Sequence, residues 1–197
     1  MNVKIVILAT AAVLAFSPAM KASATESEAV LMGSPDALQQ CAIAAARSAA
    51  THAELTRGLG FCDTAVEISK YRRDELAAAY INRSAVRLAA GQYAGALADS
   101  KAAIQVKAIM PQAHINLGIA LSAENRNGEA VHAFTDALAL NPSHPEIVYF
   151  DRALAREDDG DMKGAYLDYR NASQLAPTWD LPKQQLARFT VAHSPTS

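Results

Sequence analysis

Large rings are scarce in this chain. Aromatic residues are 6% of the 197, one of them a tryptophan, and there are only two cysteines. With half the residues apolar, that composition suits one compact domain with an alanine-rich core. No stretch alternates apolar and polar residues for long, which argues against a sheet. Basic residues do not outnumber acidic ones (18 against 20), so nothing marks nucleic acid as a partner.

Catalytic constellations are missing too. There is no glycine-rich phosphate loop and no Gly-x-Ser-x-Gly. The histidines (His52, His114, His132, His144, His193) are scattered, and none joins a cysteine or carboxylate at metal-ligand spacing. The run Glu157-Asp158-Asp159-Gly160-Asp161 lacks the alternating ligands and distal glutamate of a calcium loop. It reads as a solvated turn. The expectation is a protein that is not an enzyme and needs no metal or cofactor.

One long apolar run exists, at 5–16, after Lys4 and before the small-x-small site Ala22-Ser23-Ala24. It is shorter than the ~20 residues that span a bilayer. A signal peptide over 1–24, cleaved after Ala24, accounts for it better than an uncleaved anchor. No cysteine follows the site, so the usual lipoprotein anchor is absent. Loss of Lys4 and Lys21 takes the net charge from −2 to −4. No later run approaches membrane length, so the product is expected to be soluble, with no integral span.

The informative stretch is 111–144. Small residues (Gly118, Ala120, Ala130, Ala137) and large apolar ones (Ile115, Leu117, Leu121, Phe134, Leu138, Leu140) recur every three or four places. Asn125, Asn127 and Gly128 break this pattern into two helices, and Asn141-Pro142 ends the second. The template recurs at 77–110, with Ser84, Ala96 and Ala103 at the small positions and Gly91 in the turn. It recurs again at 146–179 with Ala153, Ala165, Ala172 and Pro177.

Around these, 25–35 is small and polar, and Ser34-Pro35 reads as a helix start. Residues 36–70 read as a degenerate hairpin: a helix over 36–50, an ambiguous stretch containing Gly58 and Gly60, then a helix from Phe61. Cys41 and Cys62 fall opposite each other in such a hairpin, and an exported chain with an even cysteine count favours a disulfide over two buried thiols. A last helix is expected over 180–193, capped by Asp180, with Leu186 and Phe189 covering the preceding hairpin.

The period of 34 residues, with Leu117-Gly118, Leu121, Ala130, Phe134 and Pro142, resembles the tetratricopeptide repeat (TPR). Tyr80, His114 and Tyr149 stand where the family has tryptophan, and Ala108 replaces the first repeat's proline. The resemblance implies an all-α solenoid of three TPR hairpins, an N-terminal hairpin and a C-terminal capping helix. Joined to the leader, it implies a periplasmic protein of a Gram-negative envelope.

The resemblance also implies that five places of each first helix face a concave groove. These are Ala78, Ile81, Asn82, Ala85 and Leu88; then Gln112, Ile115, Asn116, Ile119 and Ser122; then Ile147, Phe150, Asp151, Leu154 and Glu157. The sixth place is polar each time (Asn82, Asn116, Asp151), which suggests a ladder of groups gripping a peptide backbone. Asn82-Arg83-Ser84 looks like part of a carboxylate clamp, but Gln112 and Asn116 stand where its cations are required. The reading is a scaffold or adaptor for another protein's segment. A lipid or small-molecule carrier, or a self-assembling module, is the alternative. Residues 41–110 carry nine basic and six acidic side chains and 111–180 five and eleven. That asymmetry could steer a bipolar partner or drive head-to-tail association.

Overall fold

The structure is a computed structural model that describes residues 36–47 and 50–189. The expected leader, the polar stretch 25–35 with its Ser34 cap, and the tail from 190 lie outside the described residues. Among the described residues all regular structure is helical: α1 (Asp36–Ala45), α2 (His52–Ile68), α3 (Arg73–Ala89), α4 (Tyr93–Val106), α5 (Pro111–Ala123), α6 (Asn127–Ala139), α7 (Pro145–Asp158), α8 (Met162–Leu175) and α9 (Asp180–Leu186). They divide into two compact units between Ala108 and Ile109, where composition had suggested one. Repeat architectures have no single shared core to enforce one, because each element packs on its sequence neighbours.

In the first unit α1, α2 and α3 pack on one another, and α4 packs on α3. The ambiguous stretch before Phe61 is part of α2, which begins at a capping box. Thr51 Oγ1 accepts from the Glu54 amide at 3.3 Å, and Glu54 Oε2 accepts from the Thr51 amide at 2.7 Å. Such a cap is worth about 1 kcal/mol. The signal was Thr-x-x-Glu at 51–54, and α1 ends at Ala45, short of the expected residue 50. Gly58 does not weaken this hairpin. A Cβ there would lie 2.6 Å from the Cβ of Ala44, so its bareness is what admits α1. Cys41 and Cys62 are bonded, with Cα atoms 4.7 Å apart, and both are buried. Closing that loop of 21 residues stabilises by about 3 kcal/mol on the chain-entropy account.

The second unit pairs α5 with α6 and α7 with α8; α6 also packs on α7, and α9 on α8. At its first crossing a Cβ on Gly118 would sit 2.6 Å from the Phe134 ring. Ala130, Ala137, Ala153, Ala165 and Ala172 are fully buried at the remaining crossings. The final helix is shorter than expected, seven residues with Trp179 rather than Asp180 at its N-cap. Leu186 and Phe189 nevertheless cover Tyr169, Ala153 and Ala165.

Three turns share one design. Gly91 (φ 71°), Asn125 (φ 60°) and Gly160 (φ 88°) take the left-handed conformation after α3, α5 and α7. In each, the next amide returns to the helix: Gln92 to Arg87 O, Arg126 to Leu121 O, Asp161 to Arg156 O, at 2.8–2.9 Å. This is a Schellman closure, which glycine and asparagine enter with least strain. Asn127 and Gly128, expected to break the first helix, instead begin α6.

Two hairpins carry a buried ion-pair clip. Asp99, 3% exposed, takes a two-pronged contact from Arg83 (2.9 and 2.7 Å) and a third bond from Arg87 (2.7 Å). Asp168, 1% exposed, takes the same set from Arg152 (2.8 and 2.8 Å) and Arg156 (2.9 Å). Arg83 also reaches Asp63 of α2, and Arg152 reaches Thr135 of α6, so each clip joins three helices. A carboxylate this buried is tolerable only because guanidinium forks satisfy both oxygens. The intervening hairpin has Leu117, Leu121 and Ala133 at the equivalent places. Asp168→Ala should therefore cost about 3–5 kcal/mol, since two part-buried guanidiniums lose their counter-charge. The triple change Arg152→Leu, Arg156→Leu, Asp168→Ala copies the clip-free hairpin and should cost well under half as much. Urea unfolding measures both, and equal losses would mean that the cost of Asp168→Ala is not stranded guanidinium charge.

Candidate binding face

Packing decides which of the expected groove residues remain accessible. In α3, Ile81 and Ala85 are buried at 7% and 8% exposure, Ala85 within the core shared with α1 and α2. Asn82 and Leu88 stay half-buried, and Asn82 makes no side-chain hydrogen bond among the described residues. In α5, Asn116 is 2% exposed and its Oδ1 accepts from Gln112 Nε2 at 2.9 Å. Ile115, Ile119 and Gln112 are half-buried, and the Ser122 hydroxyl is buried with no partner among the described residues.

The face of α7 divides again. Phe150 meets Tyr169 edge-on at 5.5 Å and Trp179 at 4.8 Å, and with Leu154 it packs on the Tyr169 cluster. Glu157 accepts from Tyr169 Oη at 2.9 Å and also pairs with Arg188. These residues were expected in the groove, but the protein's own C-terminal elements engage them. Ile147 and Asp151 remain half-buried and accessible.

The expected ladder of polar sixth places is thus uneven. Asn116 is turned inward and bonded to Gln112, while Asn82 and Asp151 make no side-chain hydrogen bond among the described residues. Burial alone pushes the Asp151 carboxyl from its ordinary 3.8 up to about 7, with no compensating cation. Asp158, two turns on and on the same stripe of α7, is also raised, by desolvation and then by Glu157.

Arg83, which had suggested part of a carboxylate clamp, spends its guanidinium on Asp99 and Asp63 and stacks over Tyr80 at 5.5 Å. The acidic run at 157–161 is the turn between α7 and α8, where Asp161 caps α8 by accepting from the Gly164 amide at 2.9 Å. His114 sits 3.8 Å from Asp136, in a packed setting. Among the described residues no three His, Cys, Asp or Glu side chains converge on a metal position.

Solved structures share this architecture, among them two of MamA. The crystal structure of MamA, a TPR protein, superposes with a TM-score of 0.61 at 15% identity, covering 68% of this chain and 75% of that one. A MamA RS-1 ArsTM double mutant gives 0.62 at 16% identity, covering 79% and 83%. The chain has the TPR fold. No protein-family model matches the sequence, and no curated protein does. At such identities the likeness carries the TPR hairpins and no individual side chain of the face.

The clips were not anticipated from the sequence, although a signal existed. Tyr80, Arg83, Arg87, Gly95 and Asp99 recur 69 residues on as Tyr149, Arg152, Arg156, Gly164 and Asp168. Asp151 leaves a pH signature. Between about pH 4 and about pH 7 the folded protein keeps a proton that the unfolded chain has released, so stability falls as pH rises through that window. Asp151→Asn should flatten that fall and be more stable than the parent at pH 8, with little difference at pH 4. Denaturant titrations at the two pH values check this.

Proposed function

We propose that this chain is a non-enzymatic TPR adaptor of the cell envelope, holding a segment of another protein against the first helices of its hairpins. The observation that carries the reading is the state of the α5 and α7 faces. Ile115, Ile119 and Ile147 remain partly exposed beside Gln112 and the unengaged Asp151, on helices whose opposite sides are fully packed. Apolar side chains of a partner would fill the gaps between the isoleucines. Gln112 spends one amide N–H on Asn116 and makes no other side-chain hydrogen bond among the described residues, so it can hold a peptide unit, and Asn82 can do the same in the first unit.

Envelope location is supported by the apolar leader and by the Cys41–Cys62 bridge, a bond that persists in oxidising compartments. No helix among the described residues is long and apolar enough to cross a membrane.

Photo-crosslinking separates this reading from a lipid carrier and from a self-assembling module. With benzoylphenylalanine in place of Ile119, irradiation in producing cells should give a discrete adduct with another protein. Placing it at Phe61, on α2, should not. Lipid adducts alone, or only homodimers, would overturn the adaptor reading.

A further inference from the structure

Among the described residues, every buried or half-buried carboxylate is paired except one. Asp99 and Asp168 are each held by two arginines, and Glu157 by Tyr169 and Arg188. Asp151 is half-buried and has no hydrogen bond or ion pair with any described residue. For the fold alone, asparagine or leucine would serve better there, since an unpaired carboxylate loses hydration and gains nothing in return. We propose that Asp151 is the receptor for a lysine or arginine of the bound segment, and that the segment flanks this cation with apolar residues. This rests on the adaptor reading above and names the partner's chemistry.

Geometry and charge agree on a basic side chain. Ile147 and Leu154 lie one turn before and after Asp151 on the same stripe of α7, and α5 with Ile115 and Ile119 is its neighbour. A lysine or arginine has an apolar stem and a charged head, so the stem can lie along the isoleucines while the head meets the carboxylate. A bare metal ion would need further ligands, and no such group converges among the described residues. An acidic segment is opposed by the field. The second unit's described residues carry seven basic and eleven acidic side chains, and five of the basic ones (Arg126, Arg152, Arg156, Lys183, Arg188) are already paired with acids. Asp158, two turns along the same stripe, reinforces the sign.

The test is selection of random dodecapeptides displayed on phage, at pH 8, against the full mature chain, Asp151→Asn and Ile119→Glu, each confirmed folded by circular dichroism. The parent should enrich peptides with Lys or Arg between apolar residues. Asp151→Asn should still enrich apolar peptides but without the basic preference, and should bind the parent's best peptide about tenfold more weakly, or worse. Equal basic enrichment in Asp151→Asn, or none in the parent, overturns this proposal and leaves the adaptor reading standing. Enrichment insensitive to Ile119→Glu, or no enrichment at all, defeats both. Should Ile119→Glu not fold, a carbon-13 carboxyl titration of the parent decides. The selected peptide must lower the Asp151 midpoint; an unmoved midpoint refutes the pairing. Spermidine bound as tightly as the peptide would mark a small-cation site and refute it as well.

Discussion

Close approach of helix backbones is the constraint from which this structure follows. At each hairpin crossing the contact is made by glycine, alanine or serine, and these residues are fully buried. Where a side chain is absent altogether, the neighbour occupies its place: the Phe134 ring against Gly118, and the Ala44 methyl against Gly58. Cores of this kind bury little apolar area per residue, because an alanine methyl removes far less surface from water than a leucine. Other interactions must then add stability and fix geometry. The Cys41–Cys62 bond does so for α1 and α2, and the aspartate clips do so for α3–α4 and α7–α8. The α5–α6 hairpin lacks both and has the larger apolar set, Leu117, Leu121 and Phe134.

The same economy exposes the proposed binding face. Helices packed through small residues on one side are free to present larger ones on the other, and in α5 and α7 these are isoleucines with a carboxamide and a carboxylate among them. The clips bear on function by contrast. They show that the chain supplies arginines wherever it buries an aspartate for structure, which sets Asp151 apart as a group whose partner is not in the described chain. In the proposed function, a face that is greasy and carries one unneutralised acid would select for a segment of matching character.

Much of this was legible in the residues, for reasons that can be named. Gly118, Ala130 and Ala137 repeat at fixed intervals because backbone contact repeats at fixed intervals, so the hairpins could be read from spacing alone. Gly91 and Gly160 marked their turns because few other residues enter a left-handed conformation. Opposed cysteines in one hairpin predicted their bond. The clips were missed because arginines on a helix surface look like solvated charge until the partner aspartate, 16 places away, is known to be buried. Half of the groove was misread for a related reason. Periodicity tells which residues share a helix face, but not whether Trp179 and Phe189 return to cover it, nor that Gln112 would draw Asn116 inward.

The most direct measurement of the central claim is the stability of Gly118→Ala. Helix propensity alone predicts a gain of about 1 kcal/mol, since alanine is the better helix former. Close approach predicts the opposite sign: the new methyl would stand 2.6 Å from the Phe134 ring, and relieving that overlap should cost about 1–3 kcal/mol. A lowered unfolding midpoint, partly restored by Phe134→Leu in the same chain, is the expected result. An unchanged or raised midpoint for Gly118→Ala would contradict the account.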